Sequence, residues 1–384
     1  MPDGERVAGE GARDRDGDRD GDRELPQSAS TPPTASRLAA VDSMRVIAIL
    51  AVIVIHVTPF THGAPPARIG LEWNLPTIVN QLARFAVPCF FVLSGYFWAK
   101  RTAGPVRRWP VTRQMLQRLL LLFVGWSLLY TLPWDSGRLM RNWPASYGDI
   151  LERNLRWIGS HKLLVALQGT ETHLWFLVAL ASAVGISTLW LRWGGWRSLL
   201  LVGVVLFALA MLMRPYVKWP IGIPVRFNPR NGPAFALLPF ALGIALAFRA
   251  SSPAQSPGAW QRWGLGLWLT GILLSAAELT WLRVSYGRSL AQDAVFSTML
   301  CGLGAACFAL GNPAWLARSR LAQLGPLVLG IYAVHPLIID LVLPQLPRPR
   351  GVLADLLTVA LVFVLSWGVS SLLARGRWTR GLVR

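Results

Sequence analysis

Cysteine is nearly missing from this sequence: there are three, Cys89, Cys301 and Cys307, each inside an apolar stretch with no histidine or carboxylate at metal-ligand spacing. They read as small core side chains, which leaves no basis for a disulfide framework or a zinc site. Also missing in any suitable context are a Walker loop, a dinucleotide-binding glycine pattern, a His-Glu-x-x-His pair and a Gly-x-Ser-x-Gly elbow. No repeat of 20–50 residues and no inverted repeat is evident, which removes the simplest signs of a solenoid or of a two-fold transporter. Carboxylates are scarce as well, with 19 Asp and Glu against 38 Lys and Arg. In a soluble chain the resulting formal charge of +19 suggests nucleic acid; here the arginines fall between apolar blocks, where they set topology and meet anionic headgroups, so no nucleic-acid partner is expected.

What is abundant is apolar surface. Hydrophobic residues make up 53% of the 384, gathered into blocks of about 17–23 residues, the length a helix needs to cross roughly 30 Å of hydrocarbon. The blocks are continuous rather than alternating, so helices and not barrel strands are predicted. Nineteen tryptophans, many beside block ends (Trp98, Trp109, Trp134, Trp219, Trp263, Trp281), suit the membrane boundary. The expected fold is therefore all-α, a polytopic bundle of about ten spans at 43–60, 80–99, 115–133, 173–191, 198–213, 233–248, 263–282, 294–310, 325–343 and 352–374.

Residues 1–40 form an acid- and arginine-rich segment predicted to be a disordered cytoplasmic tail. It has no apolar core before a small-residue cleavage site, so the first span is expected to act as the targeting segment and stay in place. Residues 41–375 make the membrane domain and 376–384 a basic cytoplasmic tail. With the N-terminus inside, the inner connections carry Lys and Arg and no acids, whereas the outer ones hold Glu72, Asp135, Asp149, Glu152, Glu171 and Asp293. This predicts both ends inside; the basic outer stretch 214–230 breaks the rule locally. The longest outer connection, 134–172, contains an amphipathic helix pattern that either covers the outer face or lies on the headgroups.

Ionisable groups inside spans are expensive and mark candidate sites. In the first span Arg45 and His56 are eleven residues apart, about 16 Å along a helix and close to the same face. His173 opens the fourth span in His-Leu-Trp-Phe-Leu, and His335 lies past the middle of the ninth, before Pro336. His62 and His161 fall in outer connections and look incidental. The second span holds Ser94, a hydrogen-bond donor or nucleophile, and Gly95, which permits close backbone approach. After it come Lys100, Arg101, Arg107, Arg108, Arg113 and Arg118, which either grip phosphates or anchor the inner face. Arg84 and Glu278, toward the outer side, either pair with a neighbour or snorkel.

Together these residues make the chain resemble the acyltransferase-3 family of membrane acyltransferases, and within it the bacterial surface-polysaccharide O-acetyltransferases. The resemblance covers nearly everything after residue 40. It is carried by VDSMRVIAILAVIVIH with Arg45-x10-His56, FFVLSGYF at 90–97, HLWFL at 173–177 and GIYAVHPLIIDL at 330–341. It implies a bacterial inner-membrane enzyme that moves an acyl group, usually acetyl from cytoplasmic acetyl-CoA, to a hydroxyl of a glycan or lipid-linked sugar, with no metal. It also implies that Arg45 and His56 are the essential pair. The extracytoplasmic SGNH-type domain that larger members carry after the last span is not expected, so any step needing it falls to a separate protein of envelope biosynthesis.

The chemistry fits these residues. Acyl transfer from a thioester to an alcohol needs a base, for which a neutral imidazole is suited, and a cationic handle for CoA phosphates. His56 is the expected base, with His335 or His173 orienting it or binding the acceptor. Arg45, Lys100, Arg101, Arg113, Arg118 and Ser94 are the expected donor-binding set. Two other classes remain open: a transporter or flippase of a glycan lipid, and a non-catalytic partner in envelope assembly.

Overall fold

The structure is a computed structural model that describes residues 34–61, 70–103, 105–134, 145–250, 257–316, 318–346 and 351–383. The described residues form helices and no strand. In order these are α1 (Thr34–Val57), α2 (Leu75–Ala83), α3 (Ala86–Arg101), α4 (Pro105–Thr131), α5 (Ala145–Ser160), α6 (Lys162–Gln168), α7 (Trp175–Trp190), α8 (Trp196–Met213), α9 (Pro233–Arg249), α10 (Pro257–Tyr286), α11 (Phe296–Gly311), α12 (Val328–Val342) and α13 (Val352–Arg375). Seven segments are long and apolar enough to cross a membrane: Ala39–Val57, Leu75–Arg101, Thr172–Trp190, Trp196–Met213, Gly258–Tyr286, Arg320–Gln345 and Val352–Arg375. α9 and α11 are apolar but shorter. Outward-facing Leu128, Leu201, Leu273, Leu353 and Leu372 leave large apolar side chains exposed on α4, α8, α10 and α13, a surface that suits hydrocarbon and not water. The chain is a multi-pass membrane protein.

Several expectations shift in detail. α1 already begins at Thr34, so the last residues of the expected 1–40 tail are helix, and the rest of that tail lies outside the described residues. The second predicted span is two helices jointed at Arg84–Phe85. Pro88 explains the joint, because its ring collides with the carbonyl four residues back, that of Arg84. His62, Asp135 and the side chain of Arg107 also fall outside what is described. The 376–384 segment does not trail away: a short 3-10 turn over Arg380–Leu382 follows α13, the indole of Trp126 donates to the Leu382 carbonyl at 2.8 Å, and Val383 is fully buried.

Between helices in lipid no hydrophobic driving force acts, so close packing and hydrogen bonds must hold them. At the centre, α3 crosses α9 at backbone contact. A methyl added at Gly95 would lie 2.0 Å from the Phe240 carbonyl oxygen, and one added at Gly243 would lie 2.0 Å from that of Val92. A polar ladder ties α3, α4 and α7: the Trp98 indole donates to Thr112 Oγ1 at 3.2 Å, Thr112 and Thr188 hydroxyls meet at 2.9 Å, and Thr188 donates to the Val184 carbonyl at 2.8 Å. Glu278 caps α11, its two oxygens accepting the amides of Phe296 and Ser297 at 2.9 Å each, together with the hydroxyls of Tyr216 and Ser297. That carboxylate answers the unpaired amides and positive end of α11, a structural task.

Gly95→Ala and Gly243→Ala are each expected to cost about 1–3 kcal/mol or more, the penalty of overpacking, whereas Gly185→Ala on α7, with open space at its Cβ, gains up to about 1 kcal/mol of helix propensity. Thermal unfolding of the three variants in one detergent checks the contrast; equal stability of all three would contradict the crossing.

Candidate active site

The site is built around a break in α12. Pro336 has no amide to give the Tyr332 carbonyl, and its ring disturbs the ladder beside it. The orphaned carbonyl is taken by the neighbouring side chain: His335 Nδ1 lies 2.7 Å from Tyr332 O. A carbonyl only accepts, so Nδ1 carries the proton and Nε2 of the neutral ring keeps its lone pair. One step along, the Tyr130 hydroxyl of α4 enters the ladder, donating to Ala333 O at 2.7 Å and accepting from the Leu337 amide at 3.2 Å. Tyr130 and Pro336 thereby fix the rotamer and the depth of a fully buried His335.

His173 is held differently. Gly169, at φ +77°, turns the chain into the span, and Glu171 accepts the Thr172 amide to start the 3-10 turn Thr172–Leu174. Burial first, then nearby Asp340, pushes the Glu171 carboxyl up. The Tyr332 hydroxyl donates to the His173 carbonyl, and the rings of Tyr130 and Tyr332 flank the imidazole at 5.2 and 5.3 Å. His56 closes the last turn of α1. Directly after it Thr58 and Phe60 adopt positive φ, 50° and 66°, which side-chain-bearing residues avoid. The buried carboxylate of Asp355 on α13 sustains that strained turn by accepting the Phe60 amide at 2.6 Å.

The three histidines converge. Ring centroids of His56 and His335 are 5.1 Å apart, and those of His173 and His335 are 5.5 Å apart. Both nitrogens of His173 and Nε2 of His335 are buried with no hydrogen-bond partner among the described residues. Such orphans are costly in a folded interior and ask for a ligand. A cavity of about 620 Å³ supplies the room for one. His56 and His173 line it with Tyr332, Trp175 and Phe176, and the same space runs past Ser94 and Phe97 to Arg45, Gln114, Arg101 and Arg118. Arg45 sits 5.4 Å over the Phe97 ring and makes a loose 3.5 Å pair with Asp42, leaving donors to spare. The Arg101 guanidinium reaches Gln114 at 3.5 Å.

Of the expected site residues, the structure thus brings Arg45, His56, Ser94, Arg101, Arg118 and His173 to one cavity, with His335 against two of them. Lys100 and Arg113 do not line it: Lys100 lies over the Tyr96 ring and Arg113 faces outward. No group of three or more His, Cys, Asp or Glu able to hold a metal is present among the described residues.

A family model described as an acyltransferase domain, that of the acyltransferase-3 family, matches residues 38–375. The chain belongs to this family. No curated protein and no solved structure matches it. The acyltransferase contains working parts that sequence reading passes over. Tyr130 and Tyr332 look like ordinary span tyrosines, although the proline after His335 signals a freed carbonyl in need of a partner. Asp355 is an intramembrane acid of the kind that marks function. Arg84, left open between pairing and snorkelling, pairs: Asp293 receives Arg84 at 2.9 Å and Arg230 at 2.6 Å, and Asn80 accepts from Arg84 at 3.1 and 3.2 Å. Burial opposes the Asp293 charge, yet Arg230 and Arg84 outweigh it and hold the carboxyl below its usual range. A lowered value means that the clamp contributes fully above about pH 4, the ordinary carboxylate value, and fades only as pH falls through the lower folded value.

Around Tyr130 on the far side lies a second space of about 290 Å³ whose lining includes Trp134, Asn154, Trp157, Glu171 and Asp340. The amphipathic pattern expected in 134–172 is α5, tied to α4 by Asn154 donating to the Thr131 carbonyl at 3.0 Å.

Tyr130→Phe removes the hydroxyl from the α12 ladder and leaves the Leu337 amide and the Ala333 carbonyl unmet. The expected cost is about 1–3 kcal/mol for such a group, with faster amide exchange at Leu337 in hydrogen-exchange mass spectrometry. Unchanged exchange would contradict the patch.

Proposed function

We propose that the chain is a membrane O-acyltransferase that moves acetyl from acetyl-CoA to a hydroxyl of a cell-surface glycan or lipid-linked sugar. It does so across the bacterial cytoplasmic membrane, with ten crossings, both ends inside and no metal. The observation that carries this reading is the single cavity with guanidiniums at one end and a histidine triad at the other.

Phosphates of the donor suit Arg45, Arg101 and Arg118, because charge-assisted bonds from guanidinium to phosphate are strong and directional. The pantetheine arm then follows Ser94 and Phe97 toward His56, bridging the roughly 16 Å that eleven helical residues cover. There the acceptor hydroxyl oxygen attacks the thioester carbonyl carbon while His56 takes its proton. The tetrahedral oxyanion collapses, the carbon–sulfur bond breaks, and the proton returns from His56 to the departing thiolate. His335, with Nδ1 pinned on Tyr332 O, is a positioning residue that holds its neighbour's ring in place. His173, with both nitrogens unspent, is suited to the acceptor hydroxyl or the oxyanion. Any protein of envelope biosynthesis that delivers or receives the acceptor meets the chain at the histidine end.

The test is acetyl transfer by the purified protein, read as CoA release and as a 42 Da gain on the sugar, the mass of an acetyl group less one hydrogen. His56→Ala is expected to lower turnover by about 10²–10⁴-fold, the usual worth of a positioned base, with acetyl-CoA binding retained; Arg45→Ala is expected to weaken acetyl-CoA binding instead. Wild-type turnover in folded His56→Ala removes the base, and acceptor movement across vesicles without acylation makes the protein a transporter.

A further inference from the structure

The stretch 214–230 places arginines where the topology rule predicts few, and the fold gives them a destination. Arg214 and Arg230, from the connection between α8 and α9, meet Arg288, from the connection between α10 and α11, around a pocket of about 180 Å³. Three arginines line it with one carboxylate, Asp293, and that carboxylate is already divided between Arg230 and Arg84. Arg288 donates to the Arg214 carbonyl at 2.9 Å, a link that draws the two connections together without neutralising either charge. Among the described residues no carboxylate pairs with Arg214 or Arg288, and the Nε atoms of Arg230 and Arg288 are buried without a partner. Gathering like charges is unfavourable unless an anion offsets them.

We propose that this pocket binds a phosphate oxyanion beside the histidine end of the main cavity. The charge set calls for an anion, and guanidinium forks match tetrahedral phosphate oxygens in pairs. The pocket is next door to the reaction space: Arg230 lies 5.2 Å over the ring of Trp175, which lines the main cavity, and Phe235, which lines the pocket, packs on Trp175 at 6.0 Å. A phosphate held by Arg214, Arg230 and Arg288 leaves whatever is attached to it directed over Trp175 toward His173 and His56. Two sources share this chemistry, the phosphate of a lipid-linked sugar and the headgroup of a phospholipid. That the bound phosphate belongs to an acceptor rests on the acyl-transfer reading above; that the pocket takes phosphate does not.

The experiment titrates inorganic pyrophosphate into the full-length protein in phosphatidylcholine nanodiscs, with CoA present in excess so that Arg45, Arg101 and Arg118 are occupied. Wild type is expected to bind saturably, and Arg214→Gln to bind about tenfold more weakly, the worth of one charge-assisted hydrogen bond. Arg214 is exposed and its guanidinium makes no described bond, so the variant leaves the fold alone; Arg288→Lys, keeping the charge but not the fork, is expected to fall between. Competition by farnesyl diphosphate assigns the site to an isoprenoid-linked phosphate, and competition by phosphatidylglycerol added to the discs assigns it to a headgroup. Absence of saturable binding, or equal binding by wild type and Arg214→Gln, overturns the proposal. Pyrophosphate binding that depends on Arg214 in a protein with no acyl transfer leaves the pocket standing and removes the acceptor reading; measured transfer with no such binding removes the pocket alone.

Discussion

A missing amide at Pro336 sets the terms for everything around it. In hydrocarbon no water replaces a lost helical bond, so the Tyr332 and Ala333 carbonyls and the Leu337 amide must find partners within the protein. His335 takes the first and the Tyr130 hydroxyl takes the other two. The solution has a chemical consequence. An imidazole whose Nδ1 is committed to a carbonyl has one tautomer and one orientation, and its free nitrogen is aimed by the backbone rather than by a flexible chain. Two further histidines then pack against a fixed ring, and two of the three, His173 and His335, are buried.

The cations are kept apart from that cluster by the same helices. Arg45 and His56 share α1, so the separation between this guanidinium and this imidazole is set by the length of a helix segment. On the other side of the histidines, Asp293 holds Arg84 and Arg230 together, and the jointed α2–α3 pair exists because Pro88 interrupts it next to Arg84. Two prolines, one in α12 and one in α3, thus place a histidine and an arginine that regular helices would turn elsewhere. Backbone contact at Gly95 and Gly243 brings α3 near enough for Ser94 and Phe97 to form the wall between the two ends.

Much of this was legible in the sequence. Block length and composition point to an all-helical membrane bundle, and the Arg45–His56 spacing places both residues along one cavity because they lie on one regular helix. His173 and His335 were legible as costly polar groups in apolar runs, although their meeting with His56 depends on tertiary packing that no local pattern encodes. The cations of the cavity were legible only in part: Arg101 and Arg118 line it, while Lys100 and Arg113 differ from them by nothing visible in composition and do not. Tyr130 was hidden for the opposite reason, since it supports another residue across the bundle and has no signature of its own, whereas Asp355 shows as a costly acid in an apolar run without showing its partner. The helical start of α1 at Thr34 and the tucked segment after α13 were obscured by charge, which reads as tail in both places.

One passage joins the guanidinium end to the histidine triad, and in the proposed reaction the donor lies along it. A cryo-electron-microscopy map of the full-length protein with a non-transferable thioether analogue of acetyl-CoA bound would show where the donor lies. Phosphate density is expected against Arg45, Arg101 and Arg118, and the acyl carbon within reach of the His56 ring, about 3–3.5 Å from where an attacking oxygen would sit. Density for the phosphates at the Arg214–Arg288 pocket, or an acyl end lodged away from the three histidines, would contradict it.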